Sequence, residues 1–148
     1  CQDNPSCMFV TMICGMLRTD TGEVLMARGG HELPILTSPG RAEAVEFEGG
    51  PALGLWEEAE FSNYRLQLQP RQSLVFYTDG VSEACDADEA QFGEERLLHE
   101  LKDLADLVAG DIVSGLCASL NRFVGHAEPS DDITLLVLQG FQDDTVPA

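Results

Sequence analysis

Residues 73–84 read SLVFYTDGVSEA, and the fold turns on how that stretch is read. Leu74, Val75, Phe76 and Tyr77 form an uncharged run of strand-forming side chains, as expected of a buried strand. The run stops at Thr78-Asp79-Gly80. A plain turn accounts for such an ending, because Asp and Gly are turn residues. A metal ligand carried to the tip of a rigid element accounts for it equally well.

Working outward, residues 8–18, MFVTMICGMLR, predict a long, mostly apolar strand, central in its sheet. The turn Thr19-Asp20-Thr21-Gly22 and the run EVLMAR at 23–28 complete a hairpin signal. A glycine-rich loop, Gly29-Gly30-His31-Glu32-Leu33-Pro34, precedes a short strand near Ile35–Thr37. Residues 41–47 alternate loosely, and Gly49-Gly50-Pro51 breaks the chain. Alternation in NYRLQLQ at 63–69 predicts a half-buried strand, which Pro70-Arg71-Gln72 turns back into 73–78.

Beyond residue 90 the period changes. EERLLHELKDLADL at 94–107 puts Leu97, Leu101, Leu104 and Leu107 on one helical face, with Glu94 and Glu95 suiting the positive end of the helix dipole. IVSGLCASLNRFV at 112–124 repeats the pattern with Ile112, Leu116, Leu120 and Phe123. Asp111 is the expected N-cap and Gly125 the expected C-terminal stop. Pro129-Ser130-Asp131-Asp132 then leads into a last strand, ITLLVLQ at 133–139. Strands followed by helices and a final strand predict an α+β fold, with the helices covering one face of an antiparallel or mixed sheet. Residues 141–148 read as a loose polar tail.

Composition narrows the function. Eight basic against 26 acidic residues give a net charge of −18 over 148 residues, enough chain for one sizeable core. Without a basic patch, neither nucleic-acid binding nor attraction to an anionic membrane is expected. No apolar run approaches the roughly 20 residues of a membrane span, and no signal-peptide pattern is seen. The five cysteines show no Cys-x-x-Cys pair. Cys14 and Cys117 fall within apolar patterns, so the reading is of reduced thiols, several of them buried, in a cytoplasmic protein.

Two acidic sites share a setting. Asp79 follows one buried-looking strand, and Asp131-Asp132 precedes another. If those strands are antiparallel neighbours, both sites emerge at one edge of the sheet. Carboxylates gathered there repel each other unless a cation lies between them. An all-oxygen set favours a hard ion such as Mg²⁺ or Mn²⁺, and Gly80 allows close backbone approach to the ion or its waters. The plain alternative, an Asp-Gly turn and an exposed Ser-Asp-Asp loop, stays open on these residues alone. Asp86-Ala87-Asp88 does not follow an apolar strand, and Gln91 stands where an EF-hand loop requires glycine. His31, His99 and His126 lack the nucleophile context of a Ser–His–Asp triad.

YTDGVSEA at 77–84 and SDDITLLVL at 130–138 resemble the SpoIIE-like branch of the PPM (type 2C) metal-dependent serine/threonine protein phosphatases. MFVTMICG at 8–15 resembles that family's strand entering the sheet. GGHELPIL at 29–36 resembles its Ala-Gly-His-x-Pro loop, with Gly29 replacing the usual alanine. Phe92-Gly93-Glu94-Glu95-Arg96-Leu97 resembles its Phe-Gly-x-x-Arg-Leu helix start. The resemblance spans about residues 8–138. It implies a β-sandwich with flanking helices and a binuclear Mn²⁺/Mg²⁺ centre, at which an ion-activated water attacks a phosphoserine or phosphothreonine in line.

Carried over motif by motif, the resemblance makes Asp79 and Asp131 the catalytic metal ligands. Asp132 takes a supporting role and Gly80 lies beside the ion. His31 lies in a family motif without an assignable role beyond local hydrogen bonding. The upstream Gly-Asp and Asp-x-x-Gly-x-Gly segments of the family are not found. Residues 1–140 are therefore expected to be a partial domain lacking its N-terminal strands and helices, roughly its first quarter to third. Such a fragment is expected to bind metal weakly, to turn over poorly, and to expose sheet edges that favour a homodimer. The implied substrate is a phosphoprotein in bacterial signalling, such as an anti-sigma-factor antagonist. The alternative is a pseudophosphatase that binds partners without catalysis.

Overall fold

The computed structural model describes residues 8–127 and 131–141. Its elements follow the order β1 (Met12–Arg18), β2 (Glu23–Gly29), β3 (Ile35–Ser38), β4 (Arg41–Ala44), β5 (Tyr64–Gln67), β6 (Ser73–Tyr77), α1 (Asp79–Ser82), α2 (Glu94–Leu104), α3 (Ala109–Val124) and β7 (Leu135–Gln139). This is the α+β class that the order of patterns predicts, with every strand pairing antiparallel. The chain forms two compact units. One draws on the residues up to Leu33 and on Glu46–Gln67, the other on Pro34–Val45 and the residues from Leu68 onward.

The first unit holds a three-stranded sheet in the order β1-β2-β5. The β1–β2 hairpin closes at residues 19–22, where Gly22 adopts φ 74° and its amide donates to the Arg18 carbonyl over 2.7 Å. Val24 and Met26 on β2 are buried. β1 departs from expectation. It starts at Met12 rather than residue 8, and it is an edge strand rather than a central one. Its apolar side chains other than half-buried Ile13 are exposed, Met16 at 66%. Cys14 is exposed as well, and Cys85 and Cys117 are only half-buried, so the expectation of buried thiols fails for these three.

In the second unit a four-stranded sheet runs β4-β3-β6-β7. Leu74 and Val75 on the interior strand β6 are completely buried, as the uncharged run requires. Helices α2 and α3 pack on each other; α2 also packs on β3 and β4, and α3 on β7. The core between helices and sheet comprises Ile35, Val75, Tyr77, Val81, Phe92, Leu97, Leu101, Ile112, Leu116 and Leu120 with smaller neighbours. Arg96 closes its end, its guanidinium 4.2 Å from the Phe123 ring centroid and 5.5 Å from that of Phe92.

The helix ends differ from expectation. α2 stops at Leu104, leaving Leu107 beyond it at 41% exposure. α3 begins at Ala109 with Val108 as its N-cap, so Asp111 lies in the first turn instead. The Ala109 amide is satisfied by Gln139 Oε1 from β7 at 3.1 Å, a tertiary cap that replaces the local one. Gly125 ends α3 as expected, at φ 62°.

Candidate metal centre

β6 and β7 are antiparallel neighbours, with Tyr77 opposite Leu135. The residue after Tyr77 and the residue before Leu135 therefore meet at one end of the sheet. The Thr78 amide donates to the Thr134 carbonyl over 3.2 Å, extending the ladder by one rung. Just beyond that rung lie Asp79 on one side and Asp132 and Asp131 on the other. The condition set by the sequence pattern is met, and two acidic segments about 50 residues apart share one sheet end.

The Thr78-Asp79-Gly80 ending is neither a simple turn nor an extended tip. Thr78 is extended (φ −92°, ψ 158°) and caps α1, a single helical turn that Asp79 begins. Asp79 is exposed, whereas Gly80 and Val81 are buried. One carboxylate oxygen of Asp79 accepts from the Gly80 amide over 3.0 Å. One oxygen of Asp131 accepts from the Asp132 amide over 2.7 Å. Both carboxylates are thus oriented by the backbone immediately following them.

Gly80 brings the two segments together. A Cβ placed on it would lie 2.5 Å from the Asp132 carbonyl oxygen and 3.1 Å from its carbon. The space a side chain would need is filled by the backbone of the opposite segment. Thr78 adds a second link that the sequence reading missed. Its Oγ1 donates to the Asp132 carbonyl at 3.1 Å and accepts from the Thr134 amide at 3.0 Å. A Thr beside Asp-Gly reads as turn chemistry, and nothing local reveals partners more than 50 residues away.

The donor set suits a hard divalent cation in kind, since Asp79, Asp131 and Asp132 offer only oxygen. In number it falls short. Among the described residues, no group of three or more His, Cys, Asp or Glu side chains is placed to hold a metal ion. An ion held here would need donors beyond these three residues.

His31 lies in the first unit. Its Nδ1 is 3.3 Å from Thr11 Oγ1, and its carbonyl accepts from Arg28 Nη1 over 2.8 Å. The Arg28 guanidinium also stands 5.7 Å from the Phe47 ring centroid. His99 is exposed on α2, 3.7 Å from Asp103.

With this geometry in place, the comparisons with known proteins become specific. Residues 1–140 match the family model described as stage II sporulation protein E (SpoIIE). The chain belongs to the SpoIIE family. Among solved structures, the family's fold is matched by the phosphatase domain of SpoIIE from Bacillus subtilis, with a TM-score of 0.70 at 14% identity, covering 93% of this chain and 60% of that one. The RsbU and RsbW domains of a Mycobacterium tuberculosis protein match with a TM-score of 0.72 at 25% identity, over 93% of this chain and 38% of that one. The SiaA-PP2C domain of Pseudomonas aeruginosa matches at 0.67 and 24% identity, over 79% and 46%.

A curated relative, Protein IcfG of Synechocystis, is 30% identical over 135 residues, which is 88% of this chain and 20% of that protein. The chain thus spans about a fifth of this curated relative and between about two fifths and three fifths of these structures. Membership of the SpoIIE-like branch of PPM phosphatases, expected from the motifs, is established. No helix among the described residues is long and apolar enough to cross a membrane.

Proposed function

We propose that this chain carries part of the catalytic centre of a metal-dependent protein phosphatase acting on phosphoserine or phosphothreonine. The observation behind the reading is the β6–β7 register, which sets Asp79 and the Asp131-Asp132 pair at one sheet end, with the Gly80 cradle closed by Asp132. Asp79 and Asp131 would hold Mn²⁺ or Mg²⁺, Asp132 would support them, and Gly80 keeps the backbone close. When bound, the ion supplies Lewis acidity, activating water and offsetting charge on the phosphoryl oxygens. The protein's own part is to bring Asp79, at the start of α1, and the Asp131-Asp132 segment leading into β7 to one sheet end, so that their geometry is set before the ion arrives. Carboxylates outside residues 1–148 would complete the shell, in keeping with the fraction of its structural relatives that this chain spans.

The substrate in this reading is a phosphoprotein of bacterial signalling, an anti-sigma-factor antagonist being one such protein, and the setting is the cytoplasm. The exposed edge strand β1 supports self-association into a homodimer. One observation favours the second reading, a pseudophosphatase that binds partners, namely the lack of a three-donor cluster among the described residues.

Mn²⁺-dependent hydrolysis of para-nitrophenyl phosphate and of a phosphothreonine peptide, with Asp79→Asn as control, tests the proposal. Turnover that disappears in the variant supports catalysis. Mn²⁺ binding that neither Asp79→Asn nor Asp131→Asn weakens would sink the metal assignment and leave the binding module.

A further inference from the structure

We propose that Thr78 is a positioning residue whose hydroxyl locks the Asp131-Asp132 segment against the turn that carries Asp79. The inference deepens the metal-dependent reading above and rests on it for its consequence, though not for its geometry. Neither Asp79 nor Asp131 can define a site alone, because each sits on a separate segment. Backbone pairing between the strands proper ends at Tyr77 and Leu135. Beyond it, the Thr78 amide makes one more rung with the Thr134 carbonyl. The Thr78 side chain then reaches further still, donating to Asp132 and accepting from Thr134.

That pair of bonds restricts the residue type. A hydroxyl is one O–H donor with lone pairs to spare, so a single atom serves both partners. A carboxylate can only accept and an ammonium can only donate. Serine retains the chemistry, whereas valine keeps the branched shape and loses both bonds. The lock is placed where it matters. Its acceptor is the same Asp132 carbonyl that fills the space beside Gly80. Losing the hydroxyl leaves that carbonyl with one fewer donor and the Thr134 amide without this acceptor. The 131–134 segment is then free to move away from α1, while the ladder between β6 and β7 stays intact. Residues that orient metal ligands without touching the ion commonly change affinity by about 10- to 100-fold when removed.

The test compares wild type, Thr78→Ser, Thr78→Val and Thr78→Ala, with Asp79→Asn and Asp131→Asn as ligand controls. Mn²⁺ binding is followed by electron paramagnetic resonance, and exchange of the Thr134 amide by NMR. Thermal unfolding identifies any variant that fails to fold, and the alanine and valine versions substitute for each other in that case. The expected result is Mn²⁺ affinity about 10- to 100-fold weaker in the valine or alanine variant. Thr134 exchange should be faster in the same variant, with both properties restored by serine. Wild-type affinity and protection in the valine variant would overturn the role of Thr78 and leave the metal reading standing. Mn²⁺ binding untouched by both Asp variants would instead remove the metal reading. The exchange rates would then decide the lock, unchanged protection of Thr134 disproving it.

Discussion

Gly80 and Asp132 approach so closely that a Cβ on Gly80 would lie 2.5 Å from the Asp132 carbonyl oxygen. The obstacle is backbone, which cannot rotate aside as a side-chain tip can. Gly80→Ala is therefore expected to destabilise the protein by about 1–3 kcal/mol, the usual cost of forcing an extra methyl into a packed site. Because the displaced segment carries Asp131 and Asp132, Mn²⁺ affinity should fall in the same variant. Chemical denaturation and a metal titration on one sample check both parts.

Asp79→Asn and Asp131→Asn should behave in the opposite way with respect to stability. Each removes one of two neighbouring like charges that sit at the surface, so unfolding midpoints without metal should stay level or rise slightly. Mn²⁺ binding should fall in both variants, well beyond the 10-fold lower bound of indirect effects. Loss of metal binding together with a large loss of stability would point to a structural role for these carboxylates.

Arg96 offers a control on a different element from those carboxylates. Its guanidinium lies over two aromatic rings, Phe123 and Phe92, which are themselves edge to face with centroids 5.3 Å apart. Arg96→Ala should cost about 0.5–2 kcal/mol through lost cation–π attraction and packing. Thr134 exchange should be unaltered. Lysine should recover only part of the loss, since it lacks the flat guanidinium that stacks on a ring.

How much of this was legible in the sequence depended on whether the causes were local. The β1–β2 hairpin, β6 and the apolar faces of α2 and α3 follow from short-range periodicity and turn residues, and all appear in place except Leu107, which lies beyond α2. The pairing of Asp79 with Asp131-Asp132 was legible only conditionally, because period shows a strand but not its neighbour. Three features escaped because their causes are tertiary. β1 is as apolar as a central strand, yet it lies at an edge with every residue but Ile13 exposed. α3 starts before Asp111 because Gln139, 30 residues away, satisfies the Ala109 amide. Thr78 reads as a turn residue, and its hydroxyl partners lie 54 and 56 residues along the chain.

The β1 edge yields the last prediction. Met12, Met16 and Leu17 are exposed on this strand, and Arg18 at its end is the one charged residue among its seven. In a chain of net charge −18, long-range repulsion opposes association, so an uncharged edge is where two copies can approach most easily. Edge strands of this kind carry unpaired backbone groups that template pairing, and proteins commonly block them with charge. Self-association should therefore rise with salt, which screens the net repulsion while leaving apolar contact intact. Met16→Lys places a charge in the middle of the strand and should shift the equilibrium toward monomer without lowering the unfolding temperature. Sedimentation equilibrium at low and high salt measures the effect. An association constant unchanged by Met16→Lys would place self-contact somewhere other than β1.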